Sequence, residues 1–260
     1  MRIGNCVRDL MTALSFFTSL PIPSHVVADA KLERMAVWTP WAGLVVGVFL
    51  VATHYLTTWL FHPILSAALV LFVWITITGG LHLDGMGDCG DAFLAAVDNE
   101  RRLEILRDTH LGAFGVISIV CAIIIKFGAI VGQPPISWNL IYRDDVPFPF
   151  ALLFAPVAAR WLVLWAARTP LSRSTGMGMM YARGIQIRQI MLAGILPLIL
   201  FGINGLTSLA AIIIAGGAVW IITRIARMQL GGVNGDVLGA SIEISEIIIL
   251  LVYAVRLNGK

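Results

Sequence analysis

Seven stretches of the chain are apolar over most or all of the length needed to cross a bilayer: residues 38–60, 64–82, 113–132, 150–167, 190–203, 207–223 and 238–255. A crossing helix needs about 20 such residues. The fifth stretch is short and is expected to be tilted, broken or merged with the sixth. An earlier apolar run, Leu14 to Leu20, is closed by Pro21 and Pro23 and is too short to cross. It reads as an interfacial or half-inserted helix. The segment 24–37 that follows carries Lys31, Glu33 and Arg34 and should be wet. The pattern predicts an all-α, polytopic helical bundle of about seven spans plus a short N-terminal interfacial helix. No soluble domain, linker or low-complexity tract stands apart, so residues 1–260 form one transmembrane domain.

Composition agrees. Of 260 residues, 58% are hydrophobic and only 13% charged, where soluble domains carry roughly 25% charged residues. With a mean hydropathy of +0.89, the pI of 9.0 reflects basic loops, and no nucleic-acid partner is expected. The run LMTALSFFTSLPIP lacks a small-x-small cleavage site, so it is not read as a signal peptide. Cys6, Cys89 and Cys121 form no CxxC pair, which points to neither a zinc site nor a disulfide framework. The eight Trp residues mostly fall near span ends, as an aromatic belt would.

Charge orients the bundle. The connections near 60–64 and 204–206 carry no Lys or Arg, and 133–149 carries only Arg143. The alternate set holds Arg2, Arg8, Lys31, Arg34, Arg101, Arg102, Arg107, Arg168, Arg173, Arg183, Arg188, Arg224 and Arg227. The excess of positive charge predicts that this set faces the cytoplasm. Arg256 and Lys260 then lie against the rule, unless the last apolar run is a hairpin or half-helix. This topology brings 84–108, the basic loop 168–188 and a polar motif at 231–246 to one mouth of the bundle.

The chemistry concentrates in residues 79–112, GGLHLDGMGDCGDAFLAAVDNERRLEILRDTHLG. Asp84, Asp88 and Asp91 stand at i, i+4 and i+7, so a helix stacks three carboxylates on one stripe. Each like-charge pair costs a few tenths of a kcal/mol even in water. Gly79, Gly80, Gly85, Gly87 and Gly90 do not suit a surface helix and are expected to let a bulky ligand approach the backbone. A divalent cation with oxygen ligands, carrying substrate phosphates, fits this arrangement. Asp108 lies just before the next apolar span, where an acid usually has a partner or a metal, and Arg107 offers a planar fork for phosphate. His82, two residues before Asp84, is a candidate substrate contact.

A second motif reads LGGVNGDVLGASIEISE, with Asn234 and Asp236 in a glycine-rich turn and Glu243 and Glu246 inside an apolar helix. Acids there cost about 2.5–3.5 kcal/mol each on insertion scales and should face the bundle interior. Asp236 is also explained as a helix cap. Arg160, the only basic residue of its span, could neutralise one of these acids.

The stretch TGGLHLDGMGDCGDAF resembles the signature of the cobalamin (5'-phosphate) synthase family, the adenosylcobinamide-GDP ribazoletransferases, which reads approximately TGGLHLDGLADTADA. ALSFFTSLPIP, Glu33, LEILRDTHLGAFG and LGGVNGDVLGASIEISE extend the likeness in the right order over most of the chain. Gly87, Cys89 and Gly90 depart from it, small for small, and no aspartate is lost. The resemblance implies that alpha-ribazole or its phosphate attacks adenosylcobinamide-GDP in the cytoplasmic membrane and displaces GMP. It implies Mg²⁺ on Asp84, Asp88, Asp91 and Asp108, with Asp91 or Asp108 doubling as base. It implies Arg107 and Arg160 on phosphate, Asn234 and Asp236 on metal or nucleotide, and His82, Glu33, Glu243 and Glu246 completing the pocket. Besides the lipid bilayer and the two substrates, it leaves room for association with other late enzymes of cobalamin assembly and for a homo-oligomer.

Two other readings stay open. A CDP-alcohol phosphotransferase has similar aspartates, but usually an Arg shortly after the DG pair and a more widely spaced last pair, both missing here. A cation transporter would spread its acids through the membrane depth, whereas these gather at one face beside arginines.

Overall fold

The structure, a computed structural model, describes residues 3–27, 32–133, 149–172, 177–182 and 185–255. Among them the regular elements are helical, apart from one parallel β-bridge between Leu171 and Val233. In chain order they are α1 (Ile3–Phe17), α2 (Ser24–Val27), α3 (Leu32–Met35), α4 (Thr39–Leu60), α5 (Pro63–Thr78), α6 (Leu81–Leu94), α7 (Asn99–Ile105), α8 (Ala113–Val131), α9 (Phe150–Ala166), α10 (Met177–Ala182), α11 (Ile187–Ala193), α12 (Ile195–Leu230) and α13 (Gly235–Ala254). A 3-10 turn, Ala36–Trp38, joins α3 to α4.

The seven expected apolar stretches fall on seven apolar helical segments. Ala36–Leu60, Ala113–Val131, Gly205–Leu230 and Gly235–Ala254 are long and apolar enough to cross a membrane. The α5–α6 pair qualifies only as a unit bent by 88°, and α9 and Ile187–Ile203 are shorter. The protein is thus a multi-pass helical membrane protein. One boundary differs from expectation for a backbone reason. The stretch 64–82 does not run as one helix, because Gly79 (φ 64°) and Gly80 (φ 70°) are both left-handed. Their amides close on the Thr76 and Ile75 carbonyls at 3.1 and 3.0 Å, a glycine C-cap that ends α5 and re-aims the chain into α6. Gly205 (φ 56°, ψ −129°) likewise divides α12 into two arms, so the fifth and sixth stretches meet at a kink.

α9 is the central helix. Its 17 residues span about 25 Å, and Ala151, Ala155, Ala158 and Ala159 are fully buried. Small residues let neighbouring backbones close in. A β-carbon on Gly47 of α4 would lie 2.9 Å from the Leu153 Cα, and Gly43 meets the Pro156 backbone. Those contacts run antiparallel, as do the α9–α13 contacts Arg160–Glu246 and Phe154–Tyr253. α8 and α13 run parallel, pairing Lys126 with Glu243 and Gly132 with Ala254. The starts of α4, α8 and α13 and the ends of α9 and α12 therefore share one end of the bundle. The described arginines of the basic connections, including Arg102, Arg107, Arg168 and Arg227, belong to that end. Outward faces of α4, α8 and α12 expose Leu56, Ile124 and Ile213, as lipid contact requires.

Candidate active site

At the basic end, α6 packs between the first turns of α8 and α13. Its glycines make that possible, which corrects the expectation that they admit a ligand. A β-carbon on Gly85 would lie 2.7 Å from the Asp236 carbonyl, and one on Gly87 would lie 2.8 Å from the Ile119 side chain. Gly90 meets Ser118 and the Phe114 carbonyl. Close packing, not an open cleft, uses these positions. The three α6 acids grade inward accordingly: Asp84 is exposed, Asp88 half-buried and Asp91 buried.

Asp91 is engaged. Its two oxygens accept from the amides of Gly112 (2.7 Å) and Gly115 (2.8 Å), the unsatisfied donors at the start of α8. The geometry gives this carboxylate a positioning role. It ties the loop 106–112 to α6. Within that loop Asp108 is exposed and accepts from the His110 amide (3.0 Å) and from the His110 ring Nδ1 (2.7 Å). Those two hydrogen bonds hold the Asp108 carboxyl below its ordinary value of 3.8. A carboxylate only accepts, so Nδ1 carries the proton, and in the neutral ring the opposite nitrogen is the acceptor. Arg107 is exposed in the same loop, and Arg102 anchors α7 by donating to the Ala92 carbonyl of α6.

Across from α6, Asn234 rather than Asp236 caps α13. The Asn234 side-chain oxygen accepts from the Val237 amide at 3.0 Å, and its amide nitrogen donates to Asp236 at 2.7 Å. Asp236 is thereby held toward α6, with its backbone against Gly85. Among the described residues the charges acting on Asp88 are those of Asp236, Asp84 and Asp91, all acids. Asp84 in turn acts on Asp236. Asp108 does not share this field and lies with His110 instead.

A second charged group sits deeper. Glu243 and Glu246 lie about 12 and 16 Å below the start of α13 along its axis, at 1.5 Å per residue. Both are buried, as expected. Lys126 Nζ donates to Glu243 at 2.8 Å and to Glu246 at 2.7 Å, while Arg160 Nη1 donates to Glu246 at 2.9 Å. Two cations meet two anions, and Lys126 also lies 4.0 Å from the Trp74 ring centre. The expected Arg160–Glu partnership is present. Lys126 was not anticipated, although it is the only basic residue between Ala113 and Val131 and could have been found that way. His82 is buried near the same group, its ring 6.3 Å from Phe17, and its Nε2 has no hydrogen-bond partner. Lys126, Arg160, Glu243 and Glu246 are occupied with one another, and His82, packed against Gly239, lies with them below the acids at the surface. Glu33 falls on α3 with its side chain outside the described residues, as do Lys31, Arg143, Arg173 and Arg183.

The surface acids suit a hard divalent ion in donor chemistry: Asp84, Asp88 and Asp236 offer carboxylate oxygens whose mutual repulsion a cation relieves. Among the described residues no three His, Cys, Asp or Glu side chains already converge around one point. Ion capture therefore calls for rotation of the exposed side chains, Asp84 above all.

A profile of the family described as cobalamin-5-phosphate synthase matches residues 9–254. The chain belongs to that family. It is 34% identical over 250 residues to the adenosylcobinamide-GDP ribazoletransferase of Desulfitobacterium hafniense, covering 94% of this chain and 96% of that one. Proteins of the same name from Brevibacillus brevis (34% identical, 92% and 95% covered) and Thiobacillus denitrificans (37% identical, 96% of each covered) are similar. No solved structure matches the chain.

Proposed function

We propose that this protein is a membrane-embedded adenosylcobinamide-GDP ribazoletransferase. An alpha-ribazole hydroxyl oxygen bonds to the phosphorus attached to cobinamide, the bond from that phosphorus to GMP breaks, and cobalamin or its phosphate forms. Family membership supports the reaction. The observation that carries the site is the meeting of Asp84, Asp88 and Asp236 at the arginine-rich end of the bundle, which faces the cytoplasm by the distribution of positive charge. A diphosphate would be repelled by these three acids alone.

Mg²⁺ held by Asp84, Asp88 and Asp236 would neutralise the phosphoryl and leaving oxygens. Arg107 supplies a second, proteinaceous positive group for phosphate. The Asp108–His110 pair takes the proton of the attacking hydroxyl: Asp108 fixes the ring through Nδ1 and the opposite nitrogen accepts. Asp91 keeps that loop over α6. Asn234 sets the aim of Asp236, and the buried quartet below holds α8, α9 and α13 in register.

The test is turnover by purified protein in lipid, given adenosylcobinamide-GDP and alpha-ribazole phosphate with and without Mg²⁺, with corrinoid product and GMP followed by chromatography. Product that needs Mg²⁺ and is lost in Asp88→Asn, with the variant still inserted, is expected. Full activity of Asp88→Asn would overturn the site. Absence of product from intact protein, with turnover of CDP-diacylglycerol instead, would transfer the site to a lipid phosphotransferase.

A further inference from the structure

A cavity of about 490 Å³ opens between the end of α9 and the last turns of α12, lined by Thr169, Trp220, Thr223, Arg224, Arg227 and Met228. It shares no residue with the acid site or the buried quartet. Arg224 and Arg227 stand at i and i+3, so their like charges are neighbours on one helix face. Among the described residues neither guanidinium pairs with a carboxylate. The Arg224 guanidinium instead lies 5.5 Å from the centre of the Trp220 ring. Trp220 is 61% exposed, and Ile213, Ile214 and Ile221 continue the exposed apolar surface of the same helix toward lipid. The cavity thus has a cationic floor, a stacked indole at interface depth and an apolar flank.

We propose that this cavity seats the phosphate of an anionic ligand, and that the ligand is a phospholipid headgroup. Two unpaired guanidiniums present a fork geometry that matches phosphate oxygens. Basic pockets between membrane helices on the cytoplasmic side are suited to anionic headgroups, and a half-exposed Trp beside them marks the headgroup level. The acyl chains would run down the Ile221–Ile213 face. The cavity's volume of about 490 Å³ lies within the range of small-molecule pockets. The site is independent of the transfer reaction, and its failure would leave that reading untouched.

Native mass spectrometry of the full chain in detergent tests it, with phosphatidylglycerol and chain-matched phosphatidylcholine as probes. Wild type is expected to retain one phosphatidylglycerol under conditions that strip phosphatidylcholine. Arg224→Gln/Arg227→Gln should weaken phosphatidylglycerol binding by about tenfold or more, while Arg34→Gln/Arg188→Gln, an equal loss of exposed charge elsewhere, should leave it unchanged. Both pocket arginines are exposed, so the double variant should fold, and an unchanged elution profile checks that. Displacement of the lipid by GMP or inorganic phosphate, lost in the same double variant, would keep the phosphate seat and assign it to a soluble ligand. Equal retention of the two lipids by wild type, or unchanged lipid and GMP binding in the double variant, would overturn the proposal.

Discussion

The quartet of Lys126, Arg160, Glu243 and Glu246 is neutral as a whole and unstable in parts. At an effective dielectric constant near 20, unit charges 2.8 Å apart attract by about 6 kcal/mol. Desolvation costs several kcal/mol per ion, so the net contribution of the intact pair is small. Removing one partner is different, because the survivor stays buried. Lys126→Met leaves Glu243 without the ammonium 2.8 Å away and strips Glu246 of one of its two cations. The group then carries a net charge of −1, and the expected loss is about 3–5 kcal/mol. Glu243→Gln alone leaves +1 and should also destabilise. Combined, Lys126→Met/Glu243→Gln restores neutrality and keeps the Arg160–Glu246 pair at 2.9 Å. The double variant should therefore recover at least half of the loss caused by Lys126→Met. Reversible SDS unfolding in mixed micelles measures all four proteins. Contacting residues commonly couple by about 0.5–3 kcal/mol. Losses that simply add, or a Lys126→Met variant as stable as wild type, would refute the charge-balance argument.

Further expectations concern the surface site. Asp91→Ala removes the acceptor for the Gly112 and Gly115 amides and should cost about 1–2 kcal/mol, the range for loss of a helix cap. As a positioning residue, Asp91 should lower kcat while Mg²⁺ affinity, read by isothermal titration, stays near wild type; a collapse of Mg²⁺ affinity would return it to the ligand set. Because hydrogen bonds from His110 depress Asp108, its contribution is complete above the ordinary value of 3.8 and is lost as pH falls through the lower folded value. His110→Ala should therefore move the Asp108 titration upward, toward 3.8, in a carboxyl-selective NMR experiment, and should lower turnover; an unmoved titration would remove the pair.

The apolar pattern is legible because a bilayer demands it: every candidate stretch except 64–82, which breaks at Gly79 and Gly80, falls on one helical segment, and Glu243 and Glu246 face inward because lipid would not hold them. The break at Gly79 and Gly80 was harder, since two left-handed residues inside an apolar run do not change its hydropathy. The role of Gly85, Gly87 and Gly90 was misread for a related reason. A missing side chain admits a ligand and a neighbouring helix equally well, and only the positions of Asp236, Ile119 and Ser118 decide between them. Asp91 and Asp88 look alike as letters three apart. They diverge because one points at the open amides of α8 and the other into a field of acids.

The depth of the two acid groups decides between chemistry and transport. A cation path would need carboxylates free to exchange ions through the membrane. Here the free acids, Asp84, Asp88 and Asp236, stop at the mouth. Along α13, Glu243 and Glu246 lie about 10 and 15 Å beyond Asp236, each held by Lys126 or Arg160. An ion entering from the surface would have to displace a buried ammonium or guanidinium, leaving that charge in low dielectric at a cost of several kcal/mol. The deep group therefore works as a positive-and-negative lock between helices. The surface group, which pairs with no cation among the described residues, is the one poised to recruit positive charge from outside, which is what an anionic diphosphate substrate requires.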